Sequence, residues 1–216
     1  SDIAIGCARM MGHDLRLNFR SPYFSRPIRE FWMRWHMSLS SWFKHYLYLS
    51  LGGNRVSKVR WYSNLMTVFV FSGLWHGAAW TFVVWGAMHG TFLIVGQLMS
   101  STSESIYKRL PFKQDGILVS MIQVVVTFHL VTFAWVFFRA AGFQEATFML
   151  GRLTDSVGLN ILDQYSSQFV LISLLSVILM FGVEFFQQDF VKERVEIGLF
   201  AKLRAPAMIL LLLFVL

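Results

Sequence analysis

Charged residues are missing from long stretches of this chain, and the gaps have the lengths of membrane spans. From Trp61 to Ser103 there are 43 residues without a charge, bounded by Arg60 and Glu104. A helix needs about 20 apolar residues to cross a bilayer, so this stretch predicts two spans, or one long helix and a re-entrant piece. The expected break is Ser72-Gly73-Leu74-Trp75-His76-Gly77, where glycines bracket a polar side chain. Ile117 to Phe138 is a second run of 22 uncharged residues closed by Arg139, and Gln164 to Val183 a third, 20 residues closed by Glu184. Pro206 to Leu216 opens another that stops after eleven residues. The pattern predicts an all-α, polytopic integral membrane protein with about four to five spans plus re-entrant or interfacial helices.

Residues 1–60 follow a different pattern. Phe19 to Ser25 reads as irregular, and Pro27 stands where the first turn of a helix tolerates proline. From Ile28 to Leu51, Phe31, Trp32, Trp35, Leu39, Trp42, Phe43, Tyr46 and Leu47 recur at three- and four-residue spacing, predicting one Trp-rich amphipathic helix. Gly52-Gly53-Asn54 ends it. The expected organisation is a basic interfacial or re-entrant segment over 1–60, followed by transmembrane helices over 61–216. Those comprise two segments in 61–103, then 117–138, 164–183 and a truncated 206–216.

Composition supports the membrane reading. Hydrophobic residues make up 56% and charged residues 14% of the chain, against roughly 45–50% and 25% in soluble proteins. So little charge excludes disorder, collagen and coiled coil. The net charge of +7 falls entirely in residues 1–60, which hold ten Lys/Arg and three Asp/Glu, whereas 61–216 hold nine of each. A basic flank beside apolar runs points to lipid headgroups on the cytoplasmic side rather than to nucleic acid. One cysteine, Cys7, allows no intramolecular disulfide and no thiolate cage. The start at Ser1 lacks an initiator Met and a basic signal-peptide region, and the last apolar run is short, so the chain reads as a C-terminal piece of a longer protein.

The candidate chemistry lies in histidines. His76, His89 and His129 fall inside apolar runs, and His36 lies on the Trp-rich segment. Ionisable groups at membrane depth normally face a protein interior or a water-filled cavity. The plainer reading of each, and of His129 above all, is a buried histidine satisfied by a neighbouring carbonyl or hydroxyl. His76 has a stronger case, because Gly73 and Gly77 permit a helix break and Trp75 can wall a cavity. A neutral imidazole held there is suited to act as general base on a hydroxyl. Metal or haem binding is the other use of such residues. On one continuous helix, however, His76 and His89 would stand about 20 Å apart, and no acidic or cysteine ligands accompany them. Gly52-Gly53 lacks the Lys-Ser/Thr of a phosphate-binding loop.

Three blocks together resemble the membrane-bound O-acyltransferase family, and within it the bacterial alginate O-acetyltransferase-like subgroup. The first is Arg29-Glu30-Phe31-Trp32-Met33-Arg34-Trp35-His36-Met37-Ser38 through Trp42-Phe43, with Tyr46-Leu47-Tyr48 and Leu51-Gly52-Gly53-Asn54-Arg55. The second is Gly73-Leu74-Trp75-His76-Gly77-Ala78 with Trp80-Thr81-Phe82 and Trp85-Gly86 to His89-Gly90, and the third is Ala134-Trp135-Val136-Phe137-Phe138-Arg139-Ala140. His45 and Ser50 depart from that subgroup, which commonly has aspartate and proline there.

The resemblance implies part of a helical ring around a thinned, tunnelled membrane centre, in a multi-pass protein of the bacterial inner membrane. It implies that His76 is the catalytic base and His36 the second histidine of the bacterial branch. Trp35, Trp75, Arg34 and Ser38 would contact the donor or line the tunnel. No cofactor is expected to be tightly bound: an acetyl-coenzyme A or carrier-bound acyl group would serve as substrate. The acceptor would be an exported polysaccharide such as alginate, reached through a periplasmic acetyltransferase partner. The rival readings are D-alanyl transfer to teichoic acid, a transport subunit relaying protons through His76 and His129, and a scaffold recruiting a soluble enzyme.

Overall fold

The computed structural model describes residues 2–107, 116–154, 168, 171–179 and 181–182. The chain divides into two compact units, Ser1–Ser166 and Ser167–Leu216. The first carries seven described α-helices: α1 (Asp2–Met10), α2 (Ile28–Arg34), α3 (Met37–Phe43), α4 (Lys58–His76), α5 (Trp80–Tyr107), α6 (Ile117–Arg139) and α7 (Phe143–Thr154). Among the described residues there is no strand. In the second unit, residues 171–179 are helical, inside the run read as the 164–183 span. Pro206 to Leu216 lies outside the described residues.

Helices α4 and α5 form a hairpin that breaks at Gly77-Ala78-Ala79, at the end of the predicted Ser72–Gly77 break. Their backbones touch. A Cβ on Gly73 would collide with the Phe82 carbonyl, and one on Gly86 with the Phe69 carbonyl. Close approach through glycine is how helices associate where apolar burial against lipid gives no advantage. Gly86 and Gly90 are four residues apart on the same stripe of α5, and Gly90 faces Met66 of α4.

Helix α2 lies against α5 and α6. Ile28, Phe31 and Val131 form the buried core, with Tyr23, Trp32, Trp35, Phe92, Leu93 and Trp135 packed around it. Thr127 on α6 donates its hydroxyl hydrogen to the Arg26 carbonyl, which fixes the start of α2. Thr81 of α5 reaches the Ala140 carbonyl after α6 at 3.4 Å.

The single Trp-rich helix expected over Ile28–Leu51 is instead interrupted. Helix α2 stops at Arg34, and His36 adopts a left-handed conformation (φ 44°, ψ 54°) before α3 begins. The cause lies earlier in the chain. The Asn18 carbonyl accepts from Met37 N–H at 3.0 Å, and Asn18 Oδ1 accepts from Ser38 N–H at 3.0 Å. Two of the unpaired N–H groups at the start of α3 are thereby satisfied. On the other side of the break, Arg20 N–H donates to the Arg34 carbonyl at 2.9 Å. Past α3, Lys44–Tyr48 widens to a π-helical turn in which Leu49 N–H reaches the Lys44 carbonyl, and Gly52 (φ 96°) and Gly53 (φ 58°) end it. Buried Asn64 of α4 donates to the Leu51 and Gly53 carbonyls at 3.0 and 3.1 Å, tying this corner to the hairpin.

Two described helical stretches are long and apolar enough to cross a bilayer, Trp80–Ser100 and Ile117–Arg139. Only 22% of each is covered by protein, unlike the core helix of a soluble domain. On α6 the outward face is Ile117, Leu118, Met121, Ile122, Val125 and Val126. Helix α4 carries Lys58 and Arg60 in its first turn and is not among these two.

Candidate active site

His76 is the last residue of α4, where Gly77 leaves the helix in an extended conformation. Its half-buried imidazole has four rings beside it: Trp75 at 5.1 Å, Trp85 at 5.2 Å, Phe138 at 5.0 Å and Phe82 at 6.4 Å between centroids. Each of these rings has a local reason to be there. Trp75 precedes His76 in the chain. Phe82 and Trp85 come from the first turns of α5, held close by the Gly73–Phe82 backbone contact. Phe138 comes from the end of α6, which Thr81 anchors through Ala140.

His36 occupies the left-handed turn between α2 and α3. His36 and His76 lie within electrostatic reach of each other although 40 positions separate them in the sequence. A non-glycine residue in this region of backbone space stores strain, and histidine is among the residues that tolerate it best. Its Nδ1 is buried and has no partner among the described residues. Trp35 stacks on Phe31 at 5.5 Å, meets Phe19 edge-on at 4.8 Å, and packs on Trp135 at 5.1 Å, which in turn meets Phe138.

The remaining expected residues take other roles. Trp75 shields one side of His76 while 59% exposed itself. Arg34 pairs with Glu30 at 2.5 Å and reaches the Ser21 carbonyl at 3.4 Å, bracing the turn before His36. Ser38 has an exposed side chain and contributes its backbone N–H to the Asn18 cap. His129 is not buried: it faces outward, with Nδ1 2.7 Å from the Val125 carbonyl. That carbonyl is the partner expected for it, without the interior position.

Sequence reasoning placed His89 in an apolar run but missed its neighbours. His89 is fully buried, and Trp32 Nε1–H donates to its Nδ1 at 3.3 Å. Phe31, Trp32, Phe69, Trp85 and Phe92 surround it. Trp85, Trp135 and Phe138 were also missed as parts of the His76 surroundings. The available signal was spacing: Trp85 and His89 are one helical turn apart, as are Trp135 and Phe138. Among the described residues, no three His, Cys, Asp or Glu side chains gather as metal ligands.

The described helices include two stretches long and apolar enough to cross a bilayer, as a membrane-bound protein requires, and a histidine ringed by aromatic side chains at a helix break. The sequence profile of the membrane-bound O-acyltransferase family matches residues 2–143, which include every residue of the site. The chain belongs to that family. It is 41% identical over 159 residues to the peptidoglycan O-acetyltransferase of Helicobacter pylori, covering 74% of this chain and 28% of that protein. It is 44% identical over 146 residues to the probable alginate O-acetylase AlgI of Pseudomonas aeruginosa, covering 68% and 26%. The teichoic acid D-alanyltransferase of Bacillus subtilis is 31% identical over 150 residues, covering 66% and 37%. The chain thus matches between 26% and 37% of the length of these three curated relatives.

Proposed function

We propose that the whole protein transfers an acetyl or similar short acyl group to a hydroxyl of an exported or cell-wall polysaccharide. The carrying observation is the set of aromatic rings around His76 at the α4–α5 break, with His36 of the α2–α3 turn within electrostatic reach. In this reading the acceptor oxygen bonds to the acyl carbonyl carbon while His76 takes its proton. The thiol of acetyl-coenzyme A, or of a carrier, leaves and is reprotonated. The acceptor hydroxyl belongs to the polymer, or to a periplasmic partner that passes the group on. The basic segment 1–60 faces the cytoplasm and attracts the anionic donor. The protein is multi-pass in the bacterial inner membrane, and the helices described here form part of a tunnelled helical ring.

Acetyl transfer is favoured over D-alanyl transfer because identity reaches 41–44% with the two acetylating relatives and 31% with the D-alanyltransferase. Relay through His129 has less support, since that residue faces outward. The test is His76→Ala in the full-length protein. Polysaccharide O-acetylation should disappear while membrane insertion and expression persist, and normal acetylation by this variant would overturn the assignment.

A further inference from the structure

Among the described residues, six buried side-chain polar atoms have no hydrogen-bond partner, and four of them belong to one connected aromatic cluster in which Trp85 alone of their residues touches His76: His36 Nδ1, Trp85 Nε1, His89 Nε2 and Trp135 Nε1. The other two, Ser25 Oγ and Ser120 Oγ, are unrelated to it. Buried donors are almost always satisfied, so such a concentration calls for an acceptor that the protein itself does not supply. Three of the four are N–H donors. An indole nitrogen can only donate. His89 Nδ1 accepts from Trp32, so its neutral ring carries the hydrogen on Nε2.

Trp85 holds the central position. It is 1% exposed, lies edge-on to His76 at 5.2 Å and to His89 at 5.0 Å, and meets Trp135 at 5.9 Å. Phe138 touches His76, Trp85 and Trp135, each between 5.0 and 5.1 Å, so one ring links both indoles to the base.

We propose that Trp85, with Trp135 beside it, donates its indole N–H to the carbonyl oxygen of the acyl group under attack at His76. The inference rests on the acyl-transfer reading above. As the acceptor oxygen bonds to the carbonyl carbon and His76 takes the proton, the carbonyl π pair moves onto oxygen, where the indole hydrogens meet the developing charge. Collapse restores the carbonyl and expels the thiolate, which regains the proton from His76. Neutral donors fixed in a dry aromatic wall stabilise that charge without having to reorient. His89, locked by Trp32 one turn along α5, is a positioning residue for Trp85.

The test uses the full-length protein with acetyl-coenzyme A labelled with ¹³C at the carbonyl as probe. Bound to the His76→Ala variant, which cannot turn over, its carbonyl stretch should fall below the solution frequency. Replacing Trp85 with 3-benzothienylalanine, which keeps the ring shape and removes the N–H, should return the band toward that frequency. With His76 intact, the same replacement should lower kcat by roughly 10²-fold with KM for acetyl-coenzyme A unchanged. An unshifted carbonyl in His76→Ala, or a kcat within threefold of the parent after the replacement, overturns the indole assignment alone. Failure of the probe to bind His76→Ala overturns the donor reading, and this inference with it.

Discussion

Trp32 Nε1–H donates to His89 Nδ1 at 3.3 Å across 57 positions of sequence, joining the short α2 helix to the middle of a stretch of α5 long and apolar enough to cross a bilayer. Trp32→Phe keeps the ring and leaves the Nδ1 acceptor buried without its donor. It should cost about 1–3 kcal/mol of stability, read as earlier thermal unfolding in detergent. Unchanged unfolding would mean that the bond contributes nothing.

Backbone contact in the α4–α5 hairpin sets up a contrast among glycines. Gly73→Ala and Gly86→Ala should each destabilise by about 1–3 kcal/mol, because the new methyl meets a carbonyl that cannot move aside. Both should also reduce acetylation, since Phe82 and Trp85 move with α5. Gly96→Ala, whose nearest neighbour is an Ile28 methyl at 3.8 Å, should be neutral or stabilising by about 0.5–1 kcal/mol. Parallel unfolding measurements on the three variants decide it.

His36 allows conformation to be separated from chemistry. His36→Asn retains a residue that accepts the left-handed turn, so folding should survive while acetylation falls by at least about tenfold if the imidazole assists proton transfer. His36→Val should unfold earlier as well, because a β-branched side chain is strained at this φ. Full activity in the asparagine variant would remove His36 from the mechanism.

Asn64→Leu should lower stability by about 1–3 kcal/mol, since it leaves the Leu51 and Gly53 carbonyls without their donor. Asn64 takes no part in the His76 nest, so the turnover of the folded fraction should stay within about twofold. A selective loss of turnover at normal stability would contradict this purely structural role.

How much of this could be read from the residues differs by element. The hairpin break was visible because Gly73 and Gly77 flank a polar group inside an apolar run, and α6 because Arg139 closes a run of span length. His36 and His76 were both named, but nothing in their spacing says that they come within electrostatic reach of each other. The Trp-rich segment misled for a physical reason. Its apolar periodicity continues unbroken through Trp35 and Leu39, while the interruption at His36 is imposed by Asn18, eighteen positions away, through tertiary hydrogen bonds. Trp85 and Trp135 escaped notice because their role depends on how α5 and α6 are rotated toward each other, which no single-helix pattern encodes.

The glycine contact between α4 and α5 has a bearing on how this scaffold can change. The histidine at the end of α4 is located by main chain against main chain, whereas the rings facing it, Phe82 and Phe138, are side chains that can be shortened independently. The surroundings of His76 and its position are therefore separable design variables. Trimming Phe138 would open room beside the imidazole while the imidazole keeps its address, so the surroundings of this histidine can be recut without moving it.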